Sequence, residues 1–298
     1  MKEIEMSKIS ALMKKLASKE GVNDTLLPGI RIFKASQYQS RQPLCYEQGI
    51  IIVGQGSKRV FLDGNVYEYN PDNYLVLSVA LPALCETEAN EDNPLLAMVV
   101  SFDIEMLNRI IGQMDHHLDH SLVLRKGDPQ GLFVAKMTDD IEDTVLRMLR
   151  TLQSPLETKV IGSGMIHELI FRIMCGENAA SLYALAINNT NISRIDKALK
   201  LIHGNYRDAM EVEKLAALVN MSPSSFHRAF KEVTASSPIQ YLKKIRLDKA
   251  RILLTERGLR VNEAATEVGY QSATQFSREF KRYFGSSPIR FVAAHSAR

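Results

Sequence analysis

Between residues 29 and 102 the apolar positions come in short β-branched and aromatic runs. The stretch GIIIVGQGSKRVFLDGNVYEYNPDNYLVLSV is broken at Gly54–Gly56, Asp63–Gly64–Asn65 and Asn70–Pro71–Asp72. An Asp-Gly pair between such runs predicts a hairpin, and short strands at this spacing predict a small sandwich or barrel. From Ile104 the period lengthens. Leu107, Ile110, Ile111 and Met114 recur at helical spacing, as do Val134, Ile141, Val145, Met148 and Leu152 after the Gly127–Gly131 break. KVIGSGMIHELIFRIMCG predicts a further helix ending near Gly176. The polar, turn-rich NNTNIS at 188–193 is the expected domain boundary.

Beyond that boundary the chain reads as all helical, and it repeats itself. Asn191 or Ser193 can cap RIDKALKLIHGNY, with Ile195, Leu199 and Ile202 on one stripe and a stop at Gly204. Then SSFHRAFKEVTASSPIQY (224–241) returns fifty residues later as TQFSREFKRYFGSSPIRF (274–291), with eight of eighteen positions identical. Two copies of one supersecondary unit predict two copies of one job. In the first copy Ser222–Pro223 reads as an N-cap followed by proline at the first helical position. Phe226, Phe230 and Val233 then form a buried stripe, and Ser224, His227, Arg228 and Lys231 an outward one. The second copy places Ser272 as cap, Phe276, Phe280 and Tyr283 inside, and Thr274, Ser277, Arg278 and Lys281 outside. Each helix follows a shorter one (211–219, 261–268) through a tight turn at Asn220–Met221 or Gly269–Tyr270, which is a helix-turn-helix arrangement. PIQYLKKIRLDKARILLTE between the copies has no internal Gly or Pro, with Ile239, Leu242, Ile245 and Leu253 apolar. It predicts one connector of about 26 Å, suited to holding two helices near the ~34 Å spacing of successive major-groove turns.

Charge sharpens this picture. The 298-residue chain carries net +3, but residues 1–192 hold 18 Lys+Arg against 24 Asp+Glu, whereas residues 193–298 hold 19 against 10. A basic last third on an acidic body predicts a polyanionic partner for that third alone. The length allows two domains, and 45% apolar residues suffice for a core in each. No apolar run approaches a bilayer span, and the charged, amphipathic MKEIEMSKISALMKKLASKE is unlike a signal peptide, so a cytoplasmic protein without membrane contact is expected. Cys45, Cys85 and Cys175 have neither a disulfide framework's parity nor metal-ligand spacing and are read as buried thiols.

LAALVNMSPSSFHRAFKEVTASSPIQYLKKIRLDKARILL and AATEVGYQSATQFSREFKRYFGSSPIRF resemble the two helix-turn-helix signatures of the AraC/XylS family of bacterial transcription regulators, over about 195–292. Ala235 departs from the family's usual Gly, and Thr266 and Glu267 are less typical of the second unit. Residues 29–102 also resemble the cupin-like ligand domain of one branch of the family. The resemblance implies an α+β multidomain chain: an N-terminal helix or arm (1–28), a cupin-like β-barrel or sandwich (29–103), a helical dimerisation segment (104–187) and an all-α DNA-binding domain (188–298) with helix-turn-helix units at 211–234 and 261–284. It further implies that bases are met by Ser224, His227 and Arg228 in the first unit and by Thr274, Gln275 and Arg278 in the second. Arg can fork to guanine, Gln can pair with adenine and Thr can touch a thymine methyl. Lys231, Lys243, Lys244, Lys281 and Arg282 suit phosphates. The implied partners are double-stranded DNA, a small-molecule effector, RNA polymerase and a second copy of the chain. No cofactor is expected.

Three further constellations in the N-terminal part invite a metal, catalytic or redox reading. His116 and His120 have metal-ligand spacing beside His117, Asp115 and Asp119, but an exposed polar helix end accounts for them and no metal is expected. HELIF at 167–171 lacks a zincin's second His, and neither GQG (54–56) nor GSG (162–164) begins a phosphate loop. Cys45 or Cys85 as a thiol or electrophile sensor is an alternative regulatory reading. An enzyme fused to a DNA-binding module is another, but these cysteine spacings do not supply its metal-tuned nucleophile, so no catalytic residue is expected. A ligand-free architectural factor would discriminate little between specific and random duplex. The stripe Val134, Ile141, Val145, Met148 and Leu152 serves either a core or a subunit interface.

Overall fold

The computed structural model describes residues 2–114, 130–176, 179–187 and 190–296. It forms two compact units: Met1–Arg41, Glu47–Leu81 and Cys85–Ser193 in one, Gln42–Tyr46, Pro82–Leu84 and Arg194–Arg298 in the other.

The first unit is built on antiparallel strands. A six-stranded sheet runs in the order β1 (Gly21–Asp24), β2 (Ile30–Ala35), β9 (Leu95–Val100), β4 (Gly49–Gln55), β7 (Asn73–Leu77), β10 (Leu132–Lys136). A four-stranded sheet runs β3 (Gln39–Tyr46), β8 (Leu81–Glu88), β5 (Ser57–Leu62), β6 (Asn65–Tyr69), of which Gln42–Tyr46 and Pro82–Leu84 are grouped with the second unit. The β5–β6 hairpin closes through Asp63 (φ 49°) and Gly64 (φ 81°). Two positive-φ residues in a two-residue loop match the strands' right-handed twist, as the Asp-Gly signal predicts.

Helix α1 (Lys2–Leu16) lies across β4 and β9 with Ile9 and Met13 buried. Gly54 makes this seat, since a Cβ there would stand 2.8 Å from Met13 Sδ and 3.1 Å from Ile9 Cγ2. Gly56 (φ 78°) follows the β-bulge that interrupts the β4–β9 ladder between Val53 and Gln55. The GQG triplet thus serves close approach and a bulge.

The predicted helical stripe is corrected at its first residue. Val134 lies in β10, opposite Leu75 of β7, and only Ile141, Val145, Met148 and Leu152 belong to the helical stretch, helix α3 (Asp139–Thr151) and its C-cap Leu152; the helix opens at a Thr138 cap. The seven-residue gap from 134 to 141 is a helical interval, so spacing alone draws Val134 into the helical stripe, and the ladder that places it in a strand is long-range. These four are all at most 3% exposed, so within one chain they are core. Helix α2 (Ile104–Met114) falls where expected, and helix α4 (Pro155–Met174) ends as expected but starts four residues before Lys159, at a Ser154 cap followed by Pro155. Glu168 of α4 bridges Arg147 Nη2 at 2.6 Å and Arg172 Nη2 at 2.9 Å, and the bonds from Arg147 hold its carboxyl down at about 2. His167 of the HELIF stretch meets Gln113 at 3.1 Å. His116, His117 and His120, with Asp115 and Asp119, lie outside the described residues. Helix α5 (Ala180–Ala186) is buried along its length.

In the second unit α6 (Asn191–Gly204) buries Ile195, Leu199 and Ile202. Its cap is neither Asn191 nor Ser193: Thr190 Oγ1 accepts the Ser193 N–H at 3.2 Å. The first helix-turn-helix comprises α7 (Val212–Leu218) and α8 (Pro223–Thr234), the second α10 (Val261–Glu267) and α11 (Ala273–Phe284). Between them α9 (Pro238–Thr255) is one helix of 18 residues, about 27 Å long. Helix α12 (Pro288–Ser296) closes the chain. Ile239, expected on the connector's apolar stripe, is 40% exposed, because one turn into α9 the buried face is set by Tyr241, Leu242 and Ile245. Tyr283 is half-buried, in contrast to Phe276 and Phe280.

Candidate nucleic-acid interface

The two outward helices rest on matching internal frames. Phe226 and Phe230 hold ring centroids 5.5 Å apart at 56°, and Phe276 and Phe280 repeat both values. Phe230 meets Tyr241 at 5.5 Å and 86°, and Phe280 meets Phe291 at 5.6 Å and 84°. Matching inner faces fix matching outer faces, because the rings set each helix's rotation about its own axis. The starts match too: Ser222 Oγ accepts the Ser225 N–H and Ser272 Oγ the Gln275 N–H, both at 3.3 Å.

The ends differ in one respect. Ala235 and Gly285 occupy the same left-handed cap, at φ 54° and φ 79°, each donating its N–H to the Lys four residues earlier. An L side chain is strained there, whereas glycine is not. Ala235→Gly is therefore expected to stabilise the protein by about 0.5–1 kcal/mol, the relief of strain being partly offset by greater unfolded-state entropy. A rise in the urea midpoint at constant slope checks it.

Ser224, His227, Arg228 and Lys231 are exposed on α8, and Thr274, Gln275, Arg278, Lys281 and Arg282 on α11. Arg228, Lys231, Arg278, Lys281 and Arg282 make no ion pair among the described residues. Elsewhere in this unit Lys200, Arg207, Lys214, Lys243 and Arg251 are each paired with a carboxylate. Arg228 and Lys231 on α8 thus match Arg278 and Lys281 on α11, all four exposed and without an ion pair among the described residues.

Lys243 and Lys244, expected at phosphates with the others, have different surroundings. Lys243 Nζ lies 3.0 Å from Glu279 Oε1, and Lys244 donates to Ser236 Oγ at 2.9 Å while burial lowers its ammonium. Sequence reasoning also passed over Arg246, which donates to the carbonyls of Tyr206 and Asp208 at 2.7 and 2.8 Å and clamps loop 206–208 to the connector. Glu279 was passed over as well, although the repeat signals it: the matching position in the first copy is the buried Ala229.

The cysteines depart from the expected uniform burial. Cys85 is buried, Cys45 half-buried and Cys175 exposed at the end of α4, where partial desolvation pushes its thiol up. A raised thiol is the opposite of what a reactive thiolate requires.

Known proteins share both halves of this architecture. The profile of the AraC-type transcriptional regulator N-terminus matches residues 26–181, and a helix-turn-helix domain profile matches residues 215–294. The chain is 30% identical over 104 residues to the Msm operon regulatory protein of Streptococcus mutans, covering 35% of this chain and 37% of that one. It is 24% identical over 157 residues to the lactose operon transcription activator of Staphylococcus xylosus, covering 52% and 55%. The chain thus spans between about a third and about half of the length of these two relatives. Among solved structures, ToxT from Vibrio cholerae with an unsaturated fatty acid bound shares the fold, with a TM-score of 0.59 and 11% identity, covering 90% of this chain and 96% of that one. No helix among the described residues is long and apolar enough to cross a membrane. With two geometrically matched helix-turn-helix units in place, and a family profile spanning more than half of the 298 residues, the chain belongs to the AraC/XylS family of transcription regulators.

Proposed function

We propose that this protein is a sequence-specific, non-enzymatic regulator of transcription that lays α8 and α11 into successive major-groove turns on one face of double-stranded DNA. The observation that carries the reading is the gathering of unpaired Arg and Lys side chains at repeat-matched positions on two helices with one internal frame. Ser224, His227, Arg228, Thr274, Gln275 and Arg278 take the base edges, and Lys231, Lys281 and Arg282 the phosphates. Lys244 contributes from the flank of the connector, whereas Lys243 is held by Glu279. The protein acts in the cytoplasm, and a surface beside the DNA meets RNA polymerase.

The first unit receives a small-molecule effector, a reading supported by the fatty acid and the methylnaphthalenyl butenoic acid on two of the ToxT structures. An effector acts by binding one arrangement of the protein more tightly than another. The buried Cys85 does not favour the thiol-sensing alternative.

A homodimer forms through α4, where Leu156 (73%), Val160 (68%) and Phe171 (41%) line one exposed seam with His167. Val160→Glu is expected to shift the protein to monomer in sedimentation analysis without lowering its melting temperature. An unchanged sedimentation coefficient would remove that seam from the interface.

Footprinting on genomic fragments, followed by titration of the selected site and of random duplex, tests the function. The expected footprint protects two adjacent major-groove turns on one face. Lys281→Ala should weaken both duplexes alike and flatten the slope of log K against log salt by about 1. Equal affinity of the wild-type protein for selected and random DNA would refute sequence-specific regulation.

A further inference from the structure

Glu279 sits one turn beyond Gln275 on α11, and its carboxylate receives three donors. Oε1 accepts from Gln275 Nε2 at 3.3 Å and from Lys243 Nζ at 3.0 Å, while Oε2 accepts from Tyr270 OH at 2.8 Å. Its side chain is only 12% exposed. Desolvation by burial would raise this carboxyl, but the bonds from Lys243, Tyr270 and Gln275 outweigh it and hold the group below the usual carboxylate range. It is therefore an ionised, acceptor-only group.

An ionised carboxylate can be met only by the NH₂ end of the Gln275 amide. The rotamer that would put the amide oxygen there is excluded by repulsion between acceptors, so Oε1 and the second N–H of Gln275 remain for a partner outside the protein. One acceptor beside one donor, in fixed order, complements the N6 amine and N7 of adenine in the major groove. An unrestrained glutamine can reverse that order at an exposed helix surface. The arrangement belongs to the second copy alone: the first has Ser225 and the buried Ala229 at the matching positions. The glutamine and its brace thus appear together and are absent together.

We propose that Glu279 is a positioning residue that fixes the Gln275 amide and so makes the second recognition helix select adenine at one base pair of the target. The inference rests on the DNA-binding reading above. Lys243, held by the same carboxylate, is thereby kept from the phosphates.

The test uses the full chain and a set of duplexes carrying each base in turn at every position of the footprinted site. In the wild-type protein, one position in the second half-site should prefer adenine, and Gln275→Ala should abolish that preference. Glu279→Ala should reduce it about tenfold at that position only, leave the other positions unchanged, and steepen the salt slope by about 1 as Lys243 is released. Glu279→Gln, which keeps the shape but permits the reversed amide order, should lose part of the preference, and it serves if the alanine variant folds poorly. Adding Glu279→Ala to Gln275→Ala should change nothing further at that base pair. Unchanged adenine preference in both Glu279 variants, or an equal loss at every position, overturns the proposal while leaving DNA binding intact. A wild-type protein that does not separate selected from random duplex overturns the DNA reading itself.

Discussion

Gly269→Ala is expected to destabilise the helical unit by about 3–5 kcal/mol, enough to abolish cooperative folding of that unit in a marginally stable domain. Two effects add. Gly269 turns the chain between α10 and α11 at φ 86°, which strains any L side chain, and a Cβ there would stand 2.2 Å from Arg207 O and 2.9 Å from Arg207 C. Those atoms are backbone, and the adjoining carbonyls are held by Arg246, so the loop cannot retreat without breaking the clamp. The first copy supplies the control. Asn220 holds the equivalent place after α7 at φ 54°, and Met221 N–H bonds Ala216 O at 2.9 Å just as Tyr270 N–H bonds Ala265 O. Asn220→Gly should therefore change stability by less than about 0.5 kcal/mol. Urea denaturation of the full chain, followed by circular dichroism, separates the two outcomes. A Gly269→Ala protein with an unchanged midpoint would mean that the Arg207 loop is free to move.

The other large effect is on recognition. Arg228→Ala and Arg278→Ala are each expected to weaken binding to the selected site by about 1–3 kcal/mol and to relax preference at one base pair. With each arginine at its own half-site, as proposed, their effects should add in the double variant, bringing affinity for the target close to that for random DNA. Neither arginine is committed to a carboxylate among the described residues, so truncation strands no buried partner, and thermal stability should hold. Parallel titration of selected and random duplex is decisive. Equal losses on both would assign these arginines to phosphates.

Legibility in the sequence followed the range of the deciding interaction. The caps at Ser222 and Ser272, the phenylalanine stripes and the Asp63–Gly64 hairpin are set within a few residues, and each was readable from spacing and residue type. Val134 was misassigned because its partner, Leu75, lies far back in the chain. Thr190 was missed as a cap because it stands just outside the apolar period that marked the helix. Lys243 looked like any connector lysine until Glu279 was placed beside it, and nothing local tells Arg246 that three consecutive residues near 207 will turn their carbonyls toward it. Leu156 lies outside the predicted helix, and the exposure of Val160 depends on what α4 packs against rather than on its residue type.

On the DNA-binding reading proposed above, the unbroken 18-residue connector bears on how target promoters can drift. A single substitution in either half of an operator asks for one changed side chain, which the exposed faces can supply independently. Lengthening the gap between halves by a base pair asks for about 3.4 Å of advance and about 34° of rotation, whereas a residue added to a helix supplies about 1.5 Å and about 100°. No small insertion satisfies both demands, so letters in such sites are free to wander while the interval between them stays frozen.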